Sequence, residues 1–221
     1  MAPIEQLSER ERERLLRPLL DYLARDKHAT RHEWQGWRIA PVDGGWCNLL
    51  YQATGTGRAN SAGRDLAVKF TMRDGRDRAG REYCALQALD EAGLDLAPRP
   101  VLLDRDSYAQ PVVVQTWLQG ETSENPPLVN EEWQGLLEHL VLVHTVTPER
   151  TGVRLQRAVL DANSVAEARD LVRWQMSRLP HEARPASLRK LIRRFEAAEH
   201  PAWPEPPLAL CRVDNNLRNY V

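Results

Sequence analysis

The chain has 221 residues, of which 42% are hydrophobic, and its 30 basic and 31 acidic side chains leave a net charge of -1. That balance excludes broad electrostatic capture of nucleic acid or an anionic membrane, and the apolar fraction suffices for one large domain or two lobes. Residues 1–25 are rich in Arg and Glu and have no apolar signal stretch, and no run approaches the ~20 apolar residues of a membrane span, so a cytoplasmic protein is expected.

In chain order, Leu15, Leu16, Leu19, Leu20 and Leu23 recur at helical spacing, predicting a helix over 7–26 with Ser8 as its cap and a solvated Glu/Arg face. From residue 34 the pattern shortens to strand-like segments at 35–43, 49–54 and 65–71. They are separated by Gly44-Gly45 and by a polar turn at 55–63, which predicts an antiparallel meander. A helix follows over 76–92, with Tyr83, Leu86 and Leu89 on one face and Gly93 as its stop signal. Strands near 100–104 and 111–117 lead to Gly120, and beyond it the chain reads as helical over 130–146, 164–179 and 186–199. The expected organisation is a helix and linker over 1–33, a small α+β lobe over 34–119 and a helical lobe over 120–221. Cys47, Cys84 and Cys211 are odd in number and far apart, which fits reduced, packed thiols better than a zinc site. His144 shares a stripe with Leu137, Leu140 and Val141 and is expected to be a core histidine.

Several segments carry chemistry. Gly44-Gly45-Trp46-Cys47-Asn48 lies between two predicted strands, where glycines let a backbone turn tightly and aim its N–H groups at phosphate oxygens; a plain Gly-Gly hairpin is the alternative. Ala67-Val68-Lys69-Phe70 sets one Lys in an apolar strand. A buried ammonium needs an anion, which Glu82 on the following helix can supply, unless Lys69 merely reaches out to water. The strand near 111–117 runs into Gly120, so a nucleotide base could take a carbonyl near Thr116 and an amide near Leu118, although a core strand accounts for the same letters. Near the C-terminus Asp214 precedes Asn219 by five residues, the spacing of a kinase catalytic loop. In such a loop the Asp accepts the proton of the attacking hydroxyl and the Asn oxygen holds Mg²⁺.

Together, Gly44-Gly45-x-x-Asn48, Lys69, Arg81-Glu82, the Leu140-to-His144 segment and Asp214-x-x-x-x-Asn219 resemble the aminoglycoside phosphotransferase and choline kinase-like family over about residues 35–221. The resemblance implies an α+β, protein-kinase-like fold of two lobes, with an antiparallel-sheet lobe and an incomplete helical lobe. It implies an ATP- and Mg-dependent phosphotransferase acting on a hydroxyl of a small molecule that is aminoglycoside-, choline- or sugar-like. By the same resemblance Lys69 holds the α- and β-phosphates, Glu82 orients Lys69, Asp214 is the base and Asn219 binds Mg²⁺. The expected partner is that small hydroxyl acceptor, with neither nucleic acid nor membrane.

The sequence departs from the family pattern in two places. Arg212-Val213-Asp214 stands where the family usually has His-Gly-Asp, and the family's later metal-binding Asp finds no counterpart before Val221. The second departure implies truncation after the catalytic loop and supports an alternative expectation, a catalytically inactive nucleotide-binding or partner-binding fragment of the same fold.

Overall fold

The computed structural model describes residues 4–25, 32–43, 48–56, 65–120, 125–158, 162, 164–180, 185–197 and 209–211. The chain divides into two compact units, Met1–Gln156 with Ala209–Val221, and Arg157–Leu208.

In the first unit a short 3₁₀ turn, Ile4–Gln6, precedes helix α1, Glu9–Arg25. Ser8 stands at the start of that helix as expected: its amide and its hydroxyl both donate to the Glu11 carboxylate, at 2.9 and 2.6 Å, which is the Glu half of a capping box. Six strands follow: β1 (His32–Trp34), β2 (Trp37–Val42), β3 (Asn48–Gly55), β4 (Leu66–Thr71), β5 (Pro100–Asp104) and β6 (Val112–Thr116). They form one antiparallel sheet in the order β1-β2-β3-β4-β6-β5. Helix α2, Arg78–Glu91, lies between β4 and β5 in sequence, and α3, Asn130–His144, follows β6. The meander and both later strands were legible in the sequence. The short β1 was not, because a three-residue strand is too brief to show alternation.

Alternation along β3, β4 and β6 assigns side chains to two sheet faces. Tyr51, Ala53, Leu66, Val68, Phe70, Val112 and Val114 share one face, and against them pack Leu16, Leu19, Leu20 and Leu23 of α1 to make the main core. The leucine stripe that predicted the helix is therefore the surface that buries it. Tyr22 stacks on Trp34, with ring centroids 4.5 Å apart and planes 9° off parallel, which extends this core to the sheet edge. A network outside the core also ties α1 to β5. Arg17 donates to Asp104 at 2.9 Å and to Tyr108 at 3.3 Å, and the Tyr108 hydroxyl donates to Asp21 at 2.9 Å.

The opposite face presents Asn48, Leu50 and Gln52 from β3, Ala67, Lys69 and Thr71 from β4, and Val113 and Gln115 from β6. Helix α2 lies against β5 and β6. A second cluster of Ala88, Leu89, Val143 and Val146 joins the end of α2 to the end of α3, with Val153, Leu155 and Leu210 packed around it.

One expectation fails here. His144 is exposed, and so are Leu137 and Val141 of its stripe, whereas Val143 one position away is buried. The stripe predicted to face the core is the one that faces away from α2, because the broad apolar surface of α3 allows more than one choice of buried side. Cys84 is half-buried and Cys211 exposed, so packing does not account for Cys211; Cys47 lies outside the described residues.

In the second unit, α4 (Val165–Ser177) and α5 (Ala186–Ala197) occupy the two segments predicted to be helical. Ser164 caps α4 by accepting the Glu167 amide at 3.1 Å. Among the described residues no helix is long and apolar enough to cross a membrane.

Candidate active site

Lys69 occupies the middle of β4, opposite Leu50 on one neighbouring strand and Val113 on the other. With apolar side chains on both flanks, its ammonium has one evident anionic outlet, the helix laid against this face. Nζ lies 2.7 Å from one carboxylate oxygen of Glu82 and 3.0 Å from the other. The two side chains are 24% and 27% exposed, shielded enough for the attraction to exceed that of a surface pair, yet open enough for a ligand to reach the ammonium. The predicted pair of strand Lys and helix Glu is thus present.

Glu82 reaches Lys69 because α2 is anchored at its first turn. Asp77 caps the helix in a left-handed conformation, φ 48°, and accepts the Gly80 amide at 3.2 Å. Such a φ is uncommon outside glycine, although Asp tolerates it better than most residues. Arg105, from the turn joining β5 and β6, adds an ion pair to Asp77 at 3.3 Å. Gly80 makes room for both, since a Cβ there would sit 2.3 Å from Asp77 Oδ2 and 2.3 Å from the Arg105 guanidinium. Nearby, the hydrogen bond from Arg78, aided by the Arg76 amide, holds the Asp74 carboxyl below the usual carboxylate range.

The rest of the Lys69 face is arranged in rows across the sheet. Asn48 lies opposite Thr71, and Ala67 lies between Gln52 and Gln115. At about 3.4 Å per residue these rows stand about 7 Å to either side of Lys69. Asn48 Oδ1 and Gln115 Oε1 are both shut off from solvent with no hydrogen-bond partner among the described residues. An orphaned buried acceptor costs about 1–3 kcal/mol. Thr116 differs. Its side chain accepts the Arg99 amide at 2.9 Å and its own amide donates to Arg99 O at 3.0 Å, which leaves no more than its carbonyl for a base edge. Leu118, just beyond the strand, is exposed, and its amide has no partner among the described residues.

Of the residues expected to form the site, Asn48, Lys69, Glu82, Thr116 and Leu118 are therefore described. Gly44, Gly45, Asp214 and Asn219, together with Arg212 and Val213, lie outside the described residues. The segment that leads to Asp214 is fixed one step upstream, where the Leu210 amide donates to Val146 O at 2.8 Å. Among the described residues no three His, Cys, Asp or Glu side chains cluster as metal ligands. Asp77 and Gln115 were not foreseen. An Asp three residues before a Gly at a helix start was a readable capping signal, whereas nothing local marks Gln115, which depends on strand register.

An antiparallel sheet with a Lys–Glu pair between its central strand and an adjoining helix defines a kinase-like phosphotransferase fold. The sequence profile of the phosphotransferase enzyme family matches residues 38–220, and the chain belongs to that family. Among solved structures it is similar to a protein of Ralstonia eutropha JMP134 provisionally described as an aminoglycoside phosphotransferase, with 14% identity and a TM-score of 0.50 over 80% of this chain and 52% of that one. It is also similar to the spectinomycin phosphotransferase APH(9)-Ia, described in complex with ADP and spectinomycin, at 12% identity and a TM-score of 0.41, covering 81% and 52%. A choline kinase from Cryptosporidium parvum matches at 10% identity and a TM-score of 0.44, covering 81% and 49%. The chain spans about half the length of these proteins. No curated protein matches it.

Proposed function

We propose that this chain carries the nucleotide-binding part of an ATP- and Mg-dependent phosphotransferase that acts on a hydroxyl of a small molecule. The observation that carries the reading is the Lys69–Glu82 pair, whose side chains keep about a quarter of their surface open on the sheet face. An ammonium fixed by one carboxylate keeps donor capacity for a second anion, and its site on the open face suits the α- and β-phosphates. Gly44 and Gly45, next to Asn48 in sequence, would cover the phosphates, and the backbone of Thr116 and Leu118 would take the base edge.

Asp214 would orient the acceptor hydroxyl and accept its proton as the hydroxyl oxygen bonds to the γ-phosphorus and the bond to the β–γ bridging oxygen breaks to release ADP, and Asn219 would hold the metal through its side-chain oxygen. Mg²⁺, when bound, neutralises charge on the phosphate oxygens. The acceptor class, aminoglycoside-, choline- or sugar-like, is part of this proposal, as is a cytoplasmic setting.

Thermal unfolding of the purified chain with and without Mg·ATP tests the reading, because a ligand that binds only the native state raises the midpoint. A rise that disappears in Lys69→Ala supports the nucleotide site. A cooperative transition that ignores Mg·ATP would remove it.

A further inference from the structure

The segment after α3 does more than connect. Thr151 is buried; its hydroxyl donates to Glu91 Oε2 at 2.9 Å, and the Gly152 amide donates to the same oxygen at 3.0 Å. Five residues on from Thr151, Gln156 Nε2 donates to Asp77 Oδ2 at 2.9 Å. Glu91 is the last residue of α2 and Asp77 is its cap. The segment therefore runs antiparallel to α2 and grips it at both ends.

The lengths agree. Fourteen residues of helix rise about 21 Å, and five residues of extended chain reach about 17 Å, so the two long side chains close the remainder. Between the grips, Val153 and Leu155 pack against the cluster containing Ala88 and Leu89 of α2, at the two-residue spacing of extended chain. Arg150 adds a bond to Ala92 O at 3.0 Å, just past the helix. Glu82 projects from the helix between these anchors.

We infer that residues 151–156 form a strap that sets the position of α2, so that Asp77 and Glu91 are positioning residues acting through Glu82 on Lys69. Neither touches Lys69. Three donors, two on Glu91 and one on Asp77, hold opposite ends of one helix and resist both its sliding along its axis and its tilting, the displacements that would separate Glu82 from the ammonium. The role of the strap in nucleotide binding rests on the function proposed above; its effect on the ion pair does not.

The experiment removes the two side-chain donors of the strap, keeps the Gly152 amide on Glu91, and leaves α2 itself intact. Thr151→Val and Gln156→Ala are combined, in the wild-type chain and in Glu82→Gln, with far-UV circular dichroism to establish that each variant is folded. The readout is the rate at which an amine-specific acylating reagent modifies Lys69, with hydrogen exchange of the α2 amides measured alongside. The expected result is acylation about tenfold faster in the strap variant, approaching the rate in Glu82→Gln, and no further increase when the two are combined. Acylation and α2 exchange at wild-type rates would overturn the inference. An equal rise in both backgrounds would overturn it too, since the strap would then act on overall stability and not through Glu82. Mg·ATP binding by the same proteins separates the two readings, because a wild-type chain that binds no nucleotide removes the proposed function while the acylation rates still decide the strap.

Discussion

The ammonium of Lys69 is held by both carboxylate oxygens of Glu82, at 2.7 and 3.0 Å, across the interface between the central strand β4 and helix α2. Thirteen residues separate the two in sequence, and what brings them together is the capping of α2 against the rest of the sheet unit. Removing one member should therefore cost more than removing a surface charge. Lys69→Met is expected to abolish any stabilisation by Mg·ATP and to leave Glu82 without its cation, while Glu82→Gln should weaken nucleotide binding by about tenfold and keep the fold. Isothermal titration with Mg·ATP, read against each variant's unfolding midpoint, separates the two effects.

Gly80 tests the first turn of α2. A methyl group there would push into the capping carboxylate of Asp77 and into Arg105, both 2.3 Å away. Since Ala is otherwise the better helix former, propensity alone predicts stabilisation. The expected outcome of Gly80→Ala is instead a loss of about 1 kcal/mol or more as the cap is displaced, measured by urea unfolding. A more stable variant would contradict the geometry.

The leucines of α1 are predicted to be the chief stabilisers of the sheet unit. Leu20 is fully buried between α1 and the sheet. Leu20→Ala should lower stability by about 2–5 kcal/mol through lost burial and the cavity left behind, whereas Leu191→Ala on α5, where the side chain is 61% exposed, should stay within about 0.5 kcal/mol. Paired denaturant titrations of the two variants check the contrast.

Tyr108 gives a pH dependence with a definite sign. Burial first, and its hydrogen bond to Asp21 second, push its phenol up to about 12 from an ordinary value of 10.0. The folded state thus holds the proton to higher pH than the unfolded chain does. The corresponding stability is complete below about pH 10 and is lost as pH rises through about 12. Burial raises the Tyr83 phenol as well, so the late-titrating phenolate of Tyr108 is read from the absorbance difference between the native protein and Tyr108→Phe, and the variant should lose part of the alkaline fall in unfolding midpoint.

The candidate site was partly legible. Lys69 could be read because a cation in an apolar strand is anomalous, and Glu82 because a carboxylate on the next helix is its simplest remedy. Gly44-Gly45 and the Asp214–Asn219 spacing could be read as motifs, and they lie outside the described residues. Gln115 could not, because its place beside Ala67 on the Lys69 face comes from the pairing of β4 with β6, between which α2 and β5 intervene in the chain. His144 was misread for a related reason: periodicity shows that α3 has an apolar stripe without showing which of its neighbouring stripes another element will cover.

By itself the sequence determined the order of elements apart from the short β1, the amphipathic faces of α1 and α2, the residue types able to bind phosphate, and the phosphotransferase resemblance. These are local properties, set by side-chain periodicity and by the chemistry of residues close together in the chain. Tertiary structure alone decided which sheet face α1 buries, which amides share the Lys69 face, and how residues 151–156 grip both ends of α2. Those depend on strand register and on contacts between segments 60 to 80 residues apart, such as Glu91 with Thr151 and Asp77 with Gln156, which are 60 and 79 residues apart. No local pattern encodes such a contact, because its free energy exists only once both segments have been ordered against each other.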